Sequence, residues 1–252
     1  MNNFITFDYN STIPSDLTTK SILMAGSGNK KAKRFNLGIQ SMIYIIEEIK
    51  ESKMIIISSL FGIYDLESLV NNLNLKNIIE FVGFSLTPEI YFRNSSLHFF
   101  TTISESFGLV LCETKIYGIP NILLGLDYVS ITKGGTIIIY DDSPETIAKE
   151  SIKLLKDKKY IKTLGKKSRN SMKAFINKLL FNKWIILLLS IYNGDNYYDI
   201  LRDNAKKIDE SEALSLLKNQ INLLKIRKKN CQNISVNDFL NFSEMNKYLI
   251  YN

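Results

Sequence analysis

Between residues 20 and 155 the chain alternates short apolar runs with longer segments in which apolar residues recur at helical spacing. No other feature constrains its fold as strongly. The run Ser21-Ile-Leu-Met-Ala25 reads as a buried strand ended by Gly26-Ser-Gly-Asn29. Phe35, Ile39, Met42, Ile43, Ile46 and Ile49 then fall on one helical face. Met54 to Ile57 reads as a second strand, Leu66 to Leu73 as a helix, and Ile78 to Val82 as a third strand closed by Gly83. A short helix over Pro88 to Asn94, with Pro at its first position, leads to a fourth strand at Leu97 to Thr102 and a helix over Glu105 to Tyr117. Pro120 to Leu124 and Thr136 to Tyr140 supply the last two strands. Asp142-Ser-Pro-Glu145 opens a helix reaching about Leu155. Strands separated by helices pair in parallel through right-handed crossovers. The expected fold is therefore α/β, a Rossmann-like doubly wound parallel sheet of about six strands.

After Asp157 no strand is expected. Lys158 to Ser171, Phe175 to Tyr192 and Ala213 to Lys225 read as helices, and Ile226 to Asn252 is polar and weakly patterned. Three regions are expected: a linker over 1–19, a ligand-binding domain over 20–192, and a helical, partly disordered tail over 193–252. The run from Trp184 to Tyr192 is strongly apolar but far short of the ~20 residues a membrane span needs, so a buried helix is expected. Its basic flanks leave peripheral membrane contact open.

Composition narrows the function. At 252 residues, 45% hydrophobic and 23% charged, the chain has the make-up of a globular protein. The net charge of +7 suits anionic ligands. The lysines are scattered, which reads as solvated surface rather than a nucleic-acid footprint. Met1-Asn-Asn-Phe-Ile-Thr lacks the basic start and apolar block of a signal peptide. Cys112 and Cys231 read as free thiols of a reducing, cytoplasmic compartment, with Cys112 filling core. The sole histidine, His98, sits in a strand pattern and reads as structural, so no histidine triad or metal cluster is expected.

The chemistry concentrates in Glu105-Ser-Phe-Gly-Leu-Val-Leu-Cys-Glu113. A strand running into a helix N-terminus is where such sheets bind phosphate, because free N–H groups and the helix dipole face the ligand. Eight helical residues span about 12 Å, which would put Glu105 at the mouth of the junction and Glu113 about two turns further in. A carboxylate at each end of a phosphate-binding turn suits a nucleotide-sugar. The plain alternative, two ordinary helix carboxylates, is outweighed by the surrounding order of motifs.

That order is Gly26 to Lys33, then Phe81-Val-Gly83, then the two glutamates, then Gly118-Ile-Pro120. It resembles the C-terminal half of retaining GT-B glycosyltransferases of family 4, the glycosyl transferases group 1, over roughly Lys20 to Lys183. The resemblance implies a nucleotide-diphospho-sugar donor, an unidentified glycan, lipid or protein acceptor, and transfer with neither cofactor nor metal. It implies that Lys33 neutralises the diphosphate, that Glu113 binds the ribose hydroxyls, and that Glu105 lies nearest the transferred sugar in the catalytic position. It further implies that the backbone amides of Phe107, Gly108 and Leu109 meet sugar or phosphate oxygens. Ser27 stands where the family usually has Arg, and a hydroxyl cannot replace a bidentate guanidinium; Lys30, Lys31 or Arg34 are the candidate substitutes. The acceptor-binding half is not expected in this sequence, which reads as a fragment, a truncated product or a domain needing a partner chain. Two readings follow: a glycosyltransferase donor domain, or a catalytically inactive nucleotide-sugar-binding or interaction module. The face left open by the absent half should favour self-association.

Overall fold

The computed structural model describes residues 9–26, 30–58, 63–126, 129–175 and 178–194, with a few helical positions between 215 and 222. Six strands, β1 (Ser21–Gly26), β2 (Lys53–Ser58), β3 (Ile79–Gly83), β4 (Leu97–Phe100), β5 (Asn121–Leu124) and β6 (Thr136–Ile139), form one parallel sheet in the order β3-β2-β1-β4-β5-β6. The connections run through α1 (Lys30–Lys33), α2 (Phe35–Glu48), α3 (Ile63–Asn72), α4 (Glu89–Arg93) and α5 (Leu109–Ile116). A 3-10 turn at Ser130–Thr132 precedes β6. Then come α6 (Pro144–Lys156), α7 (Lys158–Ser171), a 3-10 turn at Met172–Ala174, and α8 (Lys178–Tyr192). The doubly wound parallel sheet expected from the alternation is the fold observed.

Strand alternation divides the core. Ile22 and Met24 of β1, Leu97 and Phe99 of β4, and Ile122 and Leu124 of β5 face a cluster built with α2, α3 and α6. Leu23 and Ala25 face the opposite side with Phe92 of α4, while Phe100 and Leu123 meet Leu111 and Cys112 of α5. Both faces are covered, so the strands are continuous apolar runs. Helix α2 lies so close to β1 that a Cβ on Gly38 would fall 2.4 Å from the Met24 sulfur, so any larger residue there would require the Met24 side chain to move. Helix α6 starts from Ser143, whose hydroxyl accepts from the Thr146 N–H, with Pro144 in the first turn.

Residues 9–19, expected as a linker, are docked. The Arg169 guanidinium donates to the Tyr9 and Thr12 carbonyls and stacks 4.4 Å from the Tyr9 ring centroid, while the Ser15 N–H donates to the Tyr117 carbonyl at 2.9 Å.

The expectation of a buried helix at Trp184–Tyr192 is corrected. In α8 Leu187 is buried, but Ile186, Leu188, Leu189, Ile191 and Tyr192 are exposed. The apolar run reported a need for cover, and the described residues do not meet it. No helix among them is long and apolar enough to cross a membrane. The expected helix over Ala213–Lys225 falls largely outside the described residues, and the tail after Ile226, with Cys231, wholly outside.

Candidate donor-binding site

Strands β1 and β4 are neighbours, and the chain leaves them towards opposite sides of the sheet. This is the topological switch point, where the carboxyl ends of the strands open a crevice. Two junctions border it, β1–α2 and β4–α5.

The β1–α2 junction delivers cations. Lys33 ends the single turn of α1, and its stem runs beside Gly26, where a Cβ would lie 3.5 Å from Lys33 Cδ and Cε. Its ammonium is 5.6 Å from the Phe100 ring centroid and donates to Glu105 Oε2 at 3.2 Å. The backbone is stitched to the opposite junction: Thr101 Oγ1 donates to the Lys33 carbonyl at 2.7 Å, and the Ile103 N–H to the Ala32 carbonyl at 2.9 Å. Arg34 follows in the left-handed region, φ 50° and ψ 42°, and separates α1 from α2. A non-glycine residue there carries strain of about 1 kcal/mol. Its guanidinium pairs with the buried Asp142 carboxylate just after β6. Arg34 therefore stands beside Lys33 in sequence but is already engaged. Ser27 lies outside the described residues. Lys31 lies within α1, and its side chain is not among those described.

The β4–α5 junction delivers carboxylates and free amides, with one correction. The expected helix from Glu105 begins instead at Leu109, because Gly108 has φ 86° and ψ 66° and no helix continues back through a left-handed residue. Glu105 therefore lies in the preceding turn. Glu113 is about one turn into α5 rather than two turns beyond Glu105. The Glu105 carboxylate accepts from Lys33 and, through Oε1, from the Ser106 N–H at 3.1 Å. The Phe107 side chain belongs to the core, edge-on to Phe175 with ring centroids 5.8 Å apart, so only its backbone is available to a ligand. Leu109 opens α5 and is exposed. The first N–H groups of α5 have no acceptor within the helix.

Glu113 lies four residues after Leu109 and is half-buried, whereas Leu111, Cys112, Thr114, Lys115 and Ile116 are all buried. Burial pushes its carboxyl up to about 7, and it makes no hydrogen bond or ion pair with a described residue. A carboxylate desolvated without a partner is unfavourable in the free protein and suited to hydroxyl donors from a ligand.

Two features behind the site were not anticipated, Lys115 and Asp142. Lys115 is fully buried, its ammonium donating to the Ile131 and Lys133 carbonyls at 2.7 and 2.8 Å, with its pKa pulled down to about 7 by burial. It ties α5 to the β5–β6 loop. His98, expected as structural, is buried and held neutral, its pKa lowered to about 4 by burial. Asn121 donates from Nδ2 to the Ile119 carbonyl, so its Oδ1 accepts from His98 Nδ1 at 2.7 Å, with Thr114 Oγ1 at 3.0 Å. Asp142 is the second unanticipated feature. Its partner stands 108 positions away, and only the fold brings the two together. Cys112 is buried as expected, its thiol pushed up to about 12 by burial. Among the described residues no group of three or more His, Cys, Asp and Glu side chains is placed to hold a metal ion.

Comparison with known proteins agrees with this architecture. N-acetyl-alpha-D-glucosaminyl L-malate synthase of Bacillus anthracis is 27% identical over 191 residues, covering 74% of this chain and 47% of that protein. The chain thus spans about half the length of the curated relative it matches. Among solved structures, Anabaena HepE in complex with UDP and glucose superposes with a TM-score of 0.64 at 18% identity, covering 73% of this chain and 55% of HepE. The C-terminal domain of the group 1 glycosyl transferase LpcC from Francisella tularensis gives a TM-score of 0.58 at 16% identity, with 67% of this chain and 97% of that domain covered. These structures share the fold of this sheet. The family model for glycosyl transferases group 1 matches residues 10–171, most of the chain, and the chain belongs to that family.

Proposed function

We propose that this chain is the donor-binding half of a retaining glycosyltransferase of family 4 type, holding a nucleotide-diphospho-sugar in the crevice between the β1–α2 and β4–α5 junctions. The observation that carries the reading is Glu113, a half-buried carboxylate with its pKa raised to about 7 by burial and no partner among the described residues, on the helix that follows the junction holding Glu105. Ribose hydroxyls donating to Glu113 would supply the missing partners. The diphosphate would meet Lys33 and the first amides of α5, and the sugar would lie towards Glu105.

In transfer, the bond between the anomeric carbon and the diphosphate oxygen breaks and its electron pair leaves with the diphosphate. The growing negative charge requires cationic and N–H stabilisation already in place. Lys33 and the Phe107–Leu109 backbone meet that need without a metal ion. Lys33 is shared, since its ammonium pairs with Glu105 before any ligand arrives. Acceptor binding and water exclusion belong to closure of two halves over the donor. The near-complete coverage of a C-terminal domain supports reading this chain as one such half.

Titration calorimetry with UDP, GDP and ADP tests the reading. At least one should bind, and Glu113→Ala should weaken it by about 1.5–3 kcal/mol, the range for a hydrogen bond to a charged group. Absence of binding by all three, or equal affinity for folded Glu113→Ala, would contradict it.

A further inference from the structure

We propose that Asp142 is a positioning residue for donor binding, acting through Arg34 to hold Lys33 in place. The inference rests on the donor-binding reading above. Lys33 is the last residue of a one-turn helix, too short to fix a side chain by its own hydrogen bonds. What sets its direction is the next residue. Arg34 takes up the left-handed backbone at φ 50° that turns the chain from α1 into α2. An L-residue in that region persists only when its surroundings hold it there. The holding contact is visible. The Arg34 side chain is largely covered, and its guanidinium is paired with Asp142, whose side chain is 1% exposed.

Asp142 follows β6, the outer strand beyond β4 and β5, and precedes α6, which packs with α2 in the same core. Arg34 also opens α2, its carbonyl accepting from the Leu37 N–H at 3.1 Å. The pair therefore fastens the beginning of α2 to the beginning of α6. On the other side of Lys33, Thr101 and Ile103 fasten residues 32 and 33 to the strand-end of β4. Lys33 is thus gripped from both directions: by β4 through its backbone, and by β6 through its neighbour. Its ammonium is left to reach across the crevice to Glu105 at 3.2 Å.

Removing Asp142 would leave a guanidinium without its buried partner and remove the contact that holds the left-handed turn. The turn would then relax, and the direction of Lys33 with it. The consequence is specific to phosphate. A ligand gripped through its diphosphate should lose affinity, and one contacted chiefly through base and ribose should not.

Nucleoside diphosphates and their monophosphates should be titrated into wild type, Asp142→Asn, Arg34→Gly and the double variant, with thermal melting and circular dichroism confirming the fold. Glycine tolerates the left-handed turn but is not held in it, so Arg34→Gly deletes the pair and leaves the turn free to relax without adding strain. It keeps the test open should Asp142→Asn fold poorly. Each single variant should lose about tenfold in diphosphate affinity and at most about twofold for the monophosphate. The double variant should lose no more than either single one, as expected for residues acting as one unit. Unchanged diphosphate affinity in a folded variant overturns the proposal and leaves the donor-binding reading intact, as does equal loss for diphosphate and monophosphate. Wild type that binds none of the nucleotides overturns both.

Discussion

At the β1–α2 junction both described cations are engaged before any ligand arrives, Lys33 by Glu105 and Arg34 by Asp142. At the β4–α5 junction Glu105 is engaged in the same way, while Glu113 sits desolvated with its pKa raised and no partner among the described residues. The two junctions border one crevice, yet one is closed electrostatically and the other is not. The cationic side is built to keep its geometry. The carboxylate side keeps an unfavourable charge that a ligand's hydroxyl groups would relieve. Stability alone would favour an apolar residue or a paired glutamate at position 113, so the cost there points to binding.

The largest expected effect concerns the site as a whole. If the crevice holds donor only, the purified chain should bind nucleoside diphosphate while acceptor-dependent sugar transfer stays at background. Robust turnover by a monodisperse monomer would break the half-enzyme reading. Next comes the open carboxylate. Glu113→Gln should weaken nucleotide binding by roughly tenfold or more yet raise the melting temperature above pH 7. The sign follows from the raised pKa. The stability linked to Glu113 is fully present below about pH 4.5, its ordinary value, and is lost as pH rises through about 7. The non-titrating variant escapes that loss, gaining on the order of 3 kcal/mol at pH 8, with the gap narrowing towards pH 5. Melting curves of the two proteins across pH 5–8 measure it, and a gap independent of pH would remove Glu113 as its source.

The paired side should respond differently. Lys33→Ala should cost roughly 1.5–3 kcal/mol of diphosphate binding with little gain in stability at any pH, because its partial exposure and its pairing with Glu105 leave no comparable penalty to relieve. Calorimetry with diphosphate and monophosphate would separate this from a general loss. The smallest expected effect is that of a chelator, which should leave affinity within about twofold of its starting value if Lys33 and backbone N–H groups carry the diphosphate. A collapse restored by magnesium or manganese would contradict that assignment.

Much of the fold was legible because its determinants are local. Each strand is a compact run of Ile, Leu, Val and Phe closed by a glycine or a polar turn, and each covering helix shows its apolar spacing within two turns. The site was legible in part. The Glu105 and Glu113 positions stood out by their spacing around a glycine, but the start of α5 did not. Glu105 and Ser106 suit a helix as well as a turn, and only the left-handed Gly108 decides between them. The Arg34–Asp142 pair and the buried Lys115 were invisible, since their partners come from other elements brought near by packing. Helix α8 misled for a related reason. An apolar run predicts burial but carries no information on what buries it, and most of its described apolar side chains are exposed.

A crystal structure of the chain with bound nucleoside diphosphate tests the central claim most directly. The account predicts the diphosphate at the N-terminus of α5 within hydrogen-bond reach of the Lys33 ammonium, and both ribose hydroxyls donating to the Glu113 carboxylate. A nucleotide bound elsewhere, or one seated in the crevice with Glu113 still unpartnered, would contradict it.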